Sequence, residues 1–295
     1  MRYPPVVSLA LLCAISALAA PGSASAQKAQ AAYTVHPLCV EKVVGMLDFR
    51  FQAGEAEFAV APCNRGFRRQ KVEARSSGWL FADDPTTEAP WKGYFGYRVV
   101  GALNAKVSLV EVAWSGGGTG VFSALAFISG WPQGKSSRGA RLTTVGIVQG
   151  GDRCQGTLND ATILSPSKVR ISWTITPGSF FSAGPSFAIR ETAEKRYEIV
   201  KLDSAGRAHA DRLGSGLPDY PPDCIGNTTI EFDLANGTAR LAEIVVDTSD
   251  LPSGSEHQQC FSRLIRETGS GPSVRFSAEQ HAAFAQRFER ECTRY

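Results

Sequence analysis

Six cysteines constrain this chain more than any other feature. The sequence has seven cysteines, and the first, Cys13, lies within an N-terminal segment that resembles a cleaved export signal. An even number of cysteines in an exported chain predicts disulfide bonds, because the compartment outside the cytoplasm is oxidising. The chain also has no C-x-x-C pair, which removes the simplest redox and zinc signatures. The six are Cys39, Cys63, Cys154, Cys224, Cys260 and Cys292.

Residues 1–26 have the pattern of a secretory signal. An apolar run extends from Val6 to Ala20 after a basic start, and Ala24-Ser25-Ala26 matches an A-x-A cleavage site. Cys13 lies in the middle of the apolar run and follows Leu12, which does not fit a lipoprotein anchor. We expect cleavage near Ala26 and a periplasmic or secreted protein, and the short signal favours a bacterial periplasm.

Sequence context predicts how the cysteines pair. Cys39 and Cys63 would close a short loop near the start of the chain, and Cys260 and Cys292 lie on two predicted helices. Cys154 and Cys224 each begin a C-x-G segment that is followed by a turn, which suggests a weak hairpin repeat at 154–176 and 224–246. We therefore predict the pairs Cys39–Cys63, Cys154–Cys224 and Cys260–Cys292.

Period-two alternation of apolar and polar residues predicts a mainly β body over residues 27–250. Val169, Ile171, Trp173 and Ile175 alternate with polar residues, and Asn236-Gly237 is a strong hairpin signal. A further strand is predicted from Val43 to Phe51. We expect antiparallel sheets in a sandwich-like or barrel-like arrangement.

Only the end of the chain, residues 251–295, is predicted to be helical. Glu256 to Glu267 places apolar residues on one face, and Ser277 with Gln280 forms a capping box before a helix from Ala278 to Cys292. The predicted fold is therefore a disulfide-bonded, mainly β protein with a C-terminal pair of α-helices.

One segment departs from the nearly neutral charge of the chain, which has a formal net charge of +3. This small excess does not favour nucleic-acid binding, and the chain after residue 30 contains no apolar run long enough to span a membrane. The segment combines Arg65, Arg68, Arg69, Lys71 and Arg75 and predicts an anion-binding surface, with an anionic envelope component or an envelope protein as partner. The alternative is a charged strand at a sheet edge.

The search for catalytic motifs gives one polar loop, at 203–223. Its Asp203, His209, Asp211, Asp219 and Asp223 would serve as acid and base or hold a cation, and the alternative is an exposed connector. No metal-site or cofactor motif is present, and we expect no metal and no cofactor. Tryptophans in a β-rich exported protein can stack on sugars, but the alternative here is a core role.

These observations favour an exported, non-enzymatic protein that binds an envelope component or supports the envelope. The alternatives are a periplasmic hydrolase that uses the 203–223 loop, and a secreted inhibitor or effector. Catalysis stays uncertain because many active sites assemble from distant residues.

Overall fold

Antiparallel β-sheet makes up most of the structure, a computed structural model that describes residues 34–45, 57–88, 90, 92–132, 134, 136–202, 206–219 and 224–293. All strand pairs among these residues are antiparallel. The mainly β fold class predicted from the sequence is confirmed. The signal predicted for residues 1–26 lies outside the described residues.

The first sheet contains seven strands, in the order β1-β7-β6-β5-β4-β3-β2. Their bounds are β1 Phe58–Ala59, β2 Val72–Ala74, β3 Leu80–Asp83, β4 Tyr94–Ala102, β5 Val107–Ser115, β6 Phe122–Ser129 and β7 Arg141–Asp152. The central strand β5 is buried on both faces and therefore shows no clean alternation, although its apolar residues are interrupted by buried Ser108, Glu111 and Ser115.

The second sheet contains five strands. A separate two-stranded hairpin comes between its second and third strands in the order of the chain. The remaining strands are β8 Leu158–Ser165, β9 Lys168–Ile175, β10 Phe187–Glu191, β11 Tyr197–Lys201, β12 Gly226–Asp233, β13 Thr238–Asp247 and β14 Ser273–Phe276. The order of the second sheet is β14-β13-β12-β9-β8, and β10 pairs with β11. The two hairpins that follow Cys154 and Cys224 therefore lie side by side, with β9 bonded to β12.

Five α-helices are described, and three of them correct the expectation that only the end of the chain is helical. The helices are α1 Pro37–Val44, α2 Val60–Gly66, α3 Arg207–Gly214, α4 Glu256–Thr268 and α5 Ala278–Cys292. Local signals explain α1: the Nδ1 atom of His36 accepts a hydrogen bond from the Leu38 amide, Pro37 occupies the first turn, and Gly45 ends the helix with φ of 69°. Val43 and Val44 are therefore helical and not part of a strand. The rest of the predicted strand, 46–51, lies outside the described residues.

The C-terminal helices agree closely with the sequence. Helix α5 has the predicted bounds, and Ser277 and Gln280 form the predicted capping box. Helix α4 extends one residue beyond its predicted end and has a second capping box, formed by Ser255 and Gln258. The short strand β14 between them was not predicted and lies at the edge of the second sheet.

The sheets and helices form layers around three apolar cores. The inner core joins the two sheets and includes Leu109 and Phe127 from the first and Ile171 and Phe232 from the second. Helix α1 covers the other face of the first sheet, and α3, α4 and α5 cover the other face of the second. This arrangement is a sandwich of two sheets with helices outside.

All three predicted disulfides are present. Cys39–Cys63 joins α1 to α2, Cys154–Cys224 joins the segments that enter β8 and β12, and Cys260–Cys292 joins α4 to the end of α5. None of the described helices is long and apolar enough to cross a membrane.

Candidate functional site

The five cationic residues of the predicted anion-binding segment are all exposed, but none of them is in a strand. Arg65 lies in the last turn of α2, and the chain then turns tightly: the Arg68 amide donates to the Arg65 carbonyl and the Gln70 amide to the Phe67 carbonyl. Only 72–74 forms a strand, β2, at the edge of the first sheet. We call Arg65, Arg68, Arg69 and Lys71 the basic turn.

Buried contacts hold the base of the basic turn. The Cys39–Cys63 disulfide ties α2 to α1, and the His36 ring stacks on Phe67 with 5.4 Å between ring centroids. The His36 amide also donates to Asn64 Oδ1 over 2.9 Å. Burial lowers the pKa of His36, so its ring stays neutral near pH 7 and adds no charge of its own. The turn is therefore anchored while its cationic side chains point to solvent.

Charge pairing separates the basic turn from its neighbour Arg75. Arg75 Nε donates to Glu73 Oε1 over 2.8 Å, and its guanidinium lies 4.2 Å from the centroid of the Phe81 ring. Within the described parts of the chain, no carboxylate lies within 4.0 Å of a cationic nitrogen of the basic turn. Its four charges therefore form no ion pair with a carboxylate that the structure describes.

The structure separates the described residues of the 203–223 loop. His209 lies on α3, where its Nε2 atom is 3.5 Å from Glu289 Oε2 of α5. Asp211 is exposed on the same helix, whereas Asp219 lies after it and accepts a hydrogen bond from the Thr176 hydroxyl. No hydrogen bond or ion pair joins His209, Asp211 and Asp219 to one another. Asp203 and Asp223 lie outside the described residues.

The remaining C-terminal histidines have structural contacts. His281 Nε2 lies 3.0 Å from the Phe180 carbonyl, and His257 Nδ1 lies 3.2 Å from the Cys292 carbonyl. Burial lowers the pKa of His281 against the opposing effect of that carbonyl. Both rings pack edge-on against phenylalanines of the core under α4 and α5. Neither ring contacts a serine or cysteine side chain in a way that would activate a nucleophile.

A cavity of about 410 Å³ opens beside Asp219 and was not predicted. It lies between the end of β7, the strands β9 and β12, and the segment 179–187 that leads into β10. Trp173 and Phe187 form part of its apolar wall. A second cavity of about 480 Å³ along β7, mostly apolar, shares Gln149 and Phe187 with it. Sequence reasoning missed the site because its walls come from strands distant in the chain. The one local signal is Gly184-Pro185-Ser186-Phe187-Ala188, which lacks the last glycine of a nucleophile elbow.

The described residues contain no group of three or more His, Cys, Asp or Glu side chains arranged to hold a metal ion. Comparison with known proteins found no match: no protein-family model fits the chain, and no curated protein or solved structure is significantly similar to it. The function therefore has to be inferred from these residues.

Proposed function

We propose that this protein is an exported, non-enzymatic binding protein of the bacterial envelope, and that its basic turn holds an anionic envelope component. The observation that carries the proposal is the basic turn itself: four exposed cations that have no carboxylate partner among the described residues, on a base held by a disulfide and a buried ring stack. Such a surface suits a polymer or membrane that presents phosphates or carboxylates, because several charges are bound at once.

Two observations support an exported protein. The three disulfides are typical of an oxidising compartment, and residues 1–26 have the pattern of a cleaved signal. The hydrolase alternative receives no support from the described contacts, because His209 faces Glu289 while Asp219 faces a separate cavity.

The expected affinity follows from the number of charges. A basic side chain near an anionic membrane surface contributes about 1 kcal/mol, so the four cations of the basic turn would give about 4 kcal/mol. This corresponds to a Kd of about 1 mM for a single contact. Useful binding therefore requires a surface or polymer with repeated anionic groups, such as lipopolysaccharide phosphates or peptidoglycan carboxylates.

The test is binding of the mature protein to lipopolysaccharide-containing vesicles and to isolated peptidoglycan, at low and high salt. We expect binding that weakens as salt rises, since screening acts over about 8 Å at physiological ionic strength. The variant Arg68→Gln/Arg69→Gln should bind less with an unchanged melting temperature, because exposed charges contribute little to stability.

A matched control removes two exposed arginines from the C-terminal helices. Arg266→Gln/Arg290→Gln changes the net charge equally but affects α4 and α5 instead of the basic turn. Equal loss of binding in the two double variants would show a general effect of net charge, and salt-insensitive binding would refute the electrostatic mechanism.

A further inference from the structure

The cavity beside Asp219 has the size and construction of a small-molecule site. Its volume of about 410 Å³ falls in the range of about 300–1,000 Å³ typical of ligand sites. Two sheets, the β10 segment and the Cys154 loop all contribute walls, so the cavity is formed by tertiary packing and not by one mobile loop. Nothing in the basic turn contributes to it.

Close backbone contacts hold the walls in place. Gly151 lies so near the Gln155 carbonyl oxygen that a Cβ atom would be 1.5 Å from it, and a Cβ on Gly178 would be 2.8 Å from the Cβ of Asp219. The Cys154–Cys224 disulfide joins the segment that carries Gln155 to the start of β12. A preformed cavity binds a ligand with a smaller loss of conformational entropy.

The polar groups of the cavity include both acceptors and donors. The hydroxyls of Thr174, Ser182 and Thr228 already donate to backbone carbonyls of the protein. The Thr176 hydroxyl donates to Oδ1 of Asp219 and so holds this carboxylate at the cavity wall. What remains for a ligand is the carboxylate, the hydroxyl lone pairs, and two side chains that make no hydrogen bond to another described residue, those of Gln149 and Ser186. A ligand therefore needs O–H or N–H donors for the carboxylate, whereas Gln149 and Ser186 can pair with either a donor or an acceptor of the ligand.

The rest of the cavity wall is apolar, and no cationic side chain is among its described lining residues. Ile175, Trp173 and Phe187 contribute carbon surface to this wall. An anion would face Asp219 without a compensating cation. A small organic cation would gain little from Asp219, because this residue is exposed and its charge is screened by water. A ligand with several hydroxyls can also hydrogen-bond to this carboxylate, and its other hydroxyls can reach Gln149 and Ser186, which line the same cavity.

We propose that this cavity binds an uncharged sugar of mono- or disaccharide size, with its hydroxyls on Asp219, Gln149 and Ser186 and its C–H face against Phe187 and Ile175. A sugar ring combines the two properties that the walls require, because it carries many hydroxyl donors and an apolar face. The site is independent of the basic turn and selects a neutral ligand instead of an anionic one.

Gly184 supplies a sharp test. It lines the cavity, and a Cβ atom at this position would meet no atom within 4 Å. Gly184→Trp should therefore fill the cavity without disturbing the fold. Gly116 is equally open to a side chain but does not line the cavity, so Gly116→Trp is the matched control. A second variant, Asp219→Asn, keeps the shape and removes the charge.

The measurement is saturation-transfer NMR of the mature protein with maltose, cellobiose and di-N-acetylchitobiose, with glucuronate, choline and putrescine as charged probes. We expect at least one neutral disaccharide to bind, Gly184→Trp to abolish its signal, Gly116→Trp to retain it, and Asp219→Asn to weaken binding about fivefold, because a charged acceptor becomes neutral. If Gly184→Trp fails to fold by circular dichroism, Asp219→Asn carries the test.

Three outcomes would overturn the proposal. Binding of choline or putrescine without any neutral sugar would assign the cavity to cations. Sugar binding that survives both Gly184→Trp and Asp219→Asn would place the ligand elsewhere on the protein. Failure of all three disaccharides to bind at millimolar concentration would remove the sugar assignment, whereas the basic turn and its salt-dependent binding would be unaffected.

Discussion

Arg98 stabilises a buried carboxylate between the two sheets, and its removal should destabilise the protein strongly. Its guanidinium on β4 donates to Glu111 Oε2 on β5 over 2.7 Å and to Asp160 Oδ1 on β8 over 3.0 Å. The Glu111 side chain is 1% exposed and that of Arg98 23%. Breaking a buried pair by removing one partner costs about 3–5 kcal/mol. Because the Arg98 side chain is partly exposed, we expect Arg98→Met to lower the unfolding free energy by about 3 kcal/mol, the lower end of this range.

The stability lost in Arg98→Met should increase as the pH rises. Burial raises the pKa of Glu111, and Arg98 opposes this effect, so Arg98→Met raises the pKa further. A carboxyl whose folded pKa lies above its unfolded value takes up a proton on folding. Its contribution to stability is therefore greatest at low pH and falls as the pH rises from its ordinary value of 4.5 through the folded pKa. Arg98→Met should lose more stability at pH 7 than at pH 5.

Urea unfolding with the disulfides intact measures both effects, and two variants test the cause. Arg98→Met/Glu111→Leu should recover most of the stability, because replacing a buried pair by apolar residues is often neutral or better. Arg190→Met breaks a pair with Glu198 in which both side chains are more than half exposed, so it should cost less than about 1 kcal/mol. A loss below about 1 kcal/mol for Arg98→Met, or a double variant no more stable than the single, would refute the reasoning.

Two further predictions concern the cysteines and a buried histidine. Thiol titration of the denatured, unreduced mature protein should detect no reactive thiol, and two or more thiols per chain would contradict this. Cys260→Ala/Cys292→Ala should lower the unfolding free energy by about 2–4 kcal/mol, since the bridge restricts the unfolded chain. The far-UV circular dichroism of this variant should stay unchanged, and an unchanged urea midpoint would contradict the prediction. Burial lowers the pKa of His281, so the unfolded state binds its proton first and stability should fall as the pH drops below its ordinary value of 6.5. His281→Phe keeps an aromatic ring and removes the titration, so its urea midpoint should change less between pH 7 and pH 5 than that of the wild type, and an equal change would show that His281 is not responsible.

Local patterns in the sequence were enough to predict much of the scaffold. Period-two alternation identified β9 and β12, and capping residues predicted the bounds of α5 because a helix start depends on groups three residues apart. The three disulfides followed from the elements on which the cysteines lie. The same reasoning failed at Val43 and Val44, where a β-branched apolar pair was assigned to a strand although His36, Pro37 and Gly45 cap a helix around it.

Only the tertiary structure decided which faces meet and which charges stay unpaired. The sequence identified the cations of the basic turn, but which of the described carboxylates lie near them depends on the strands and helices that surround them. Asp219 was a candidate residue, yet its position at a cavity wall depends on Thr176, Phe187 and Gln149, which belong to different elements. Periodicity depends on residues that are close together along the chain. A cavity or a buried ion network forms where distant segments of the chain pack together, and the spacing of residues in the sequence does not show which distant segments meet.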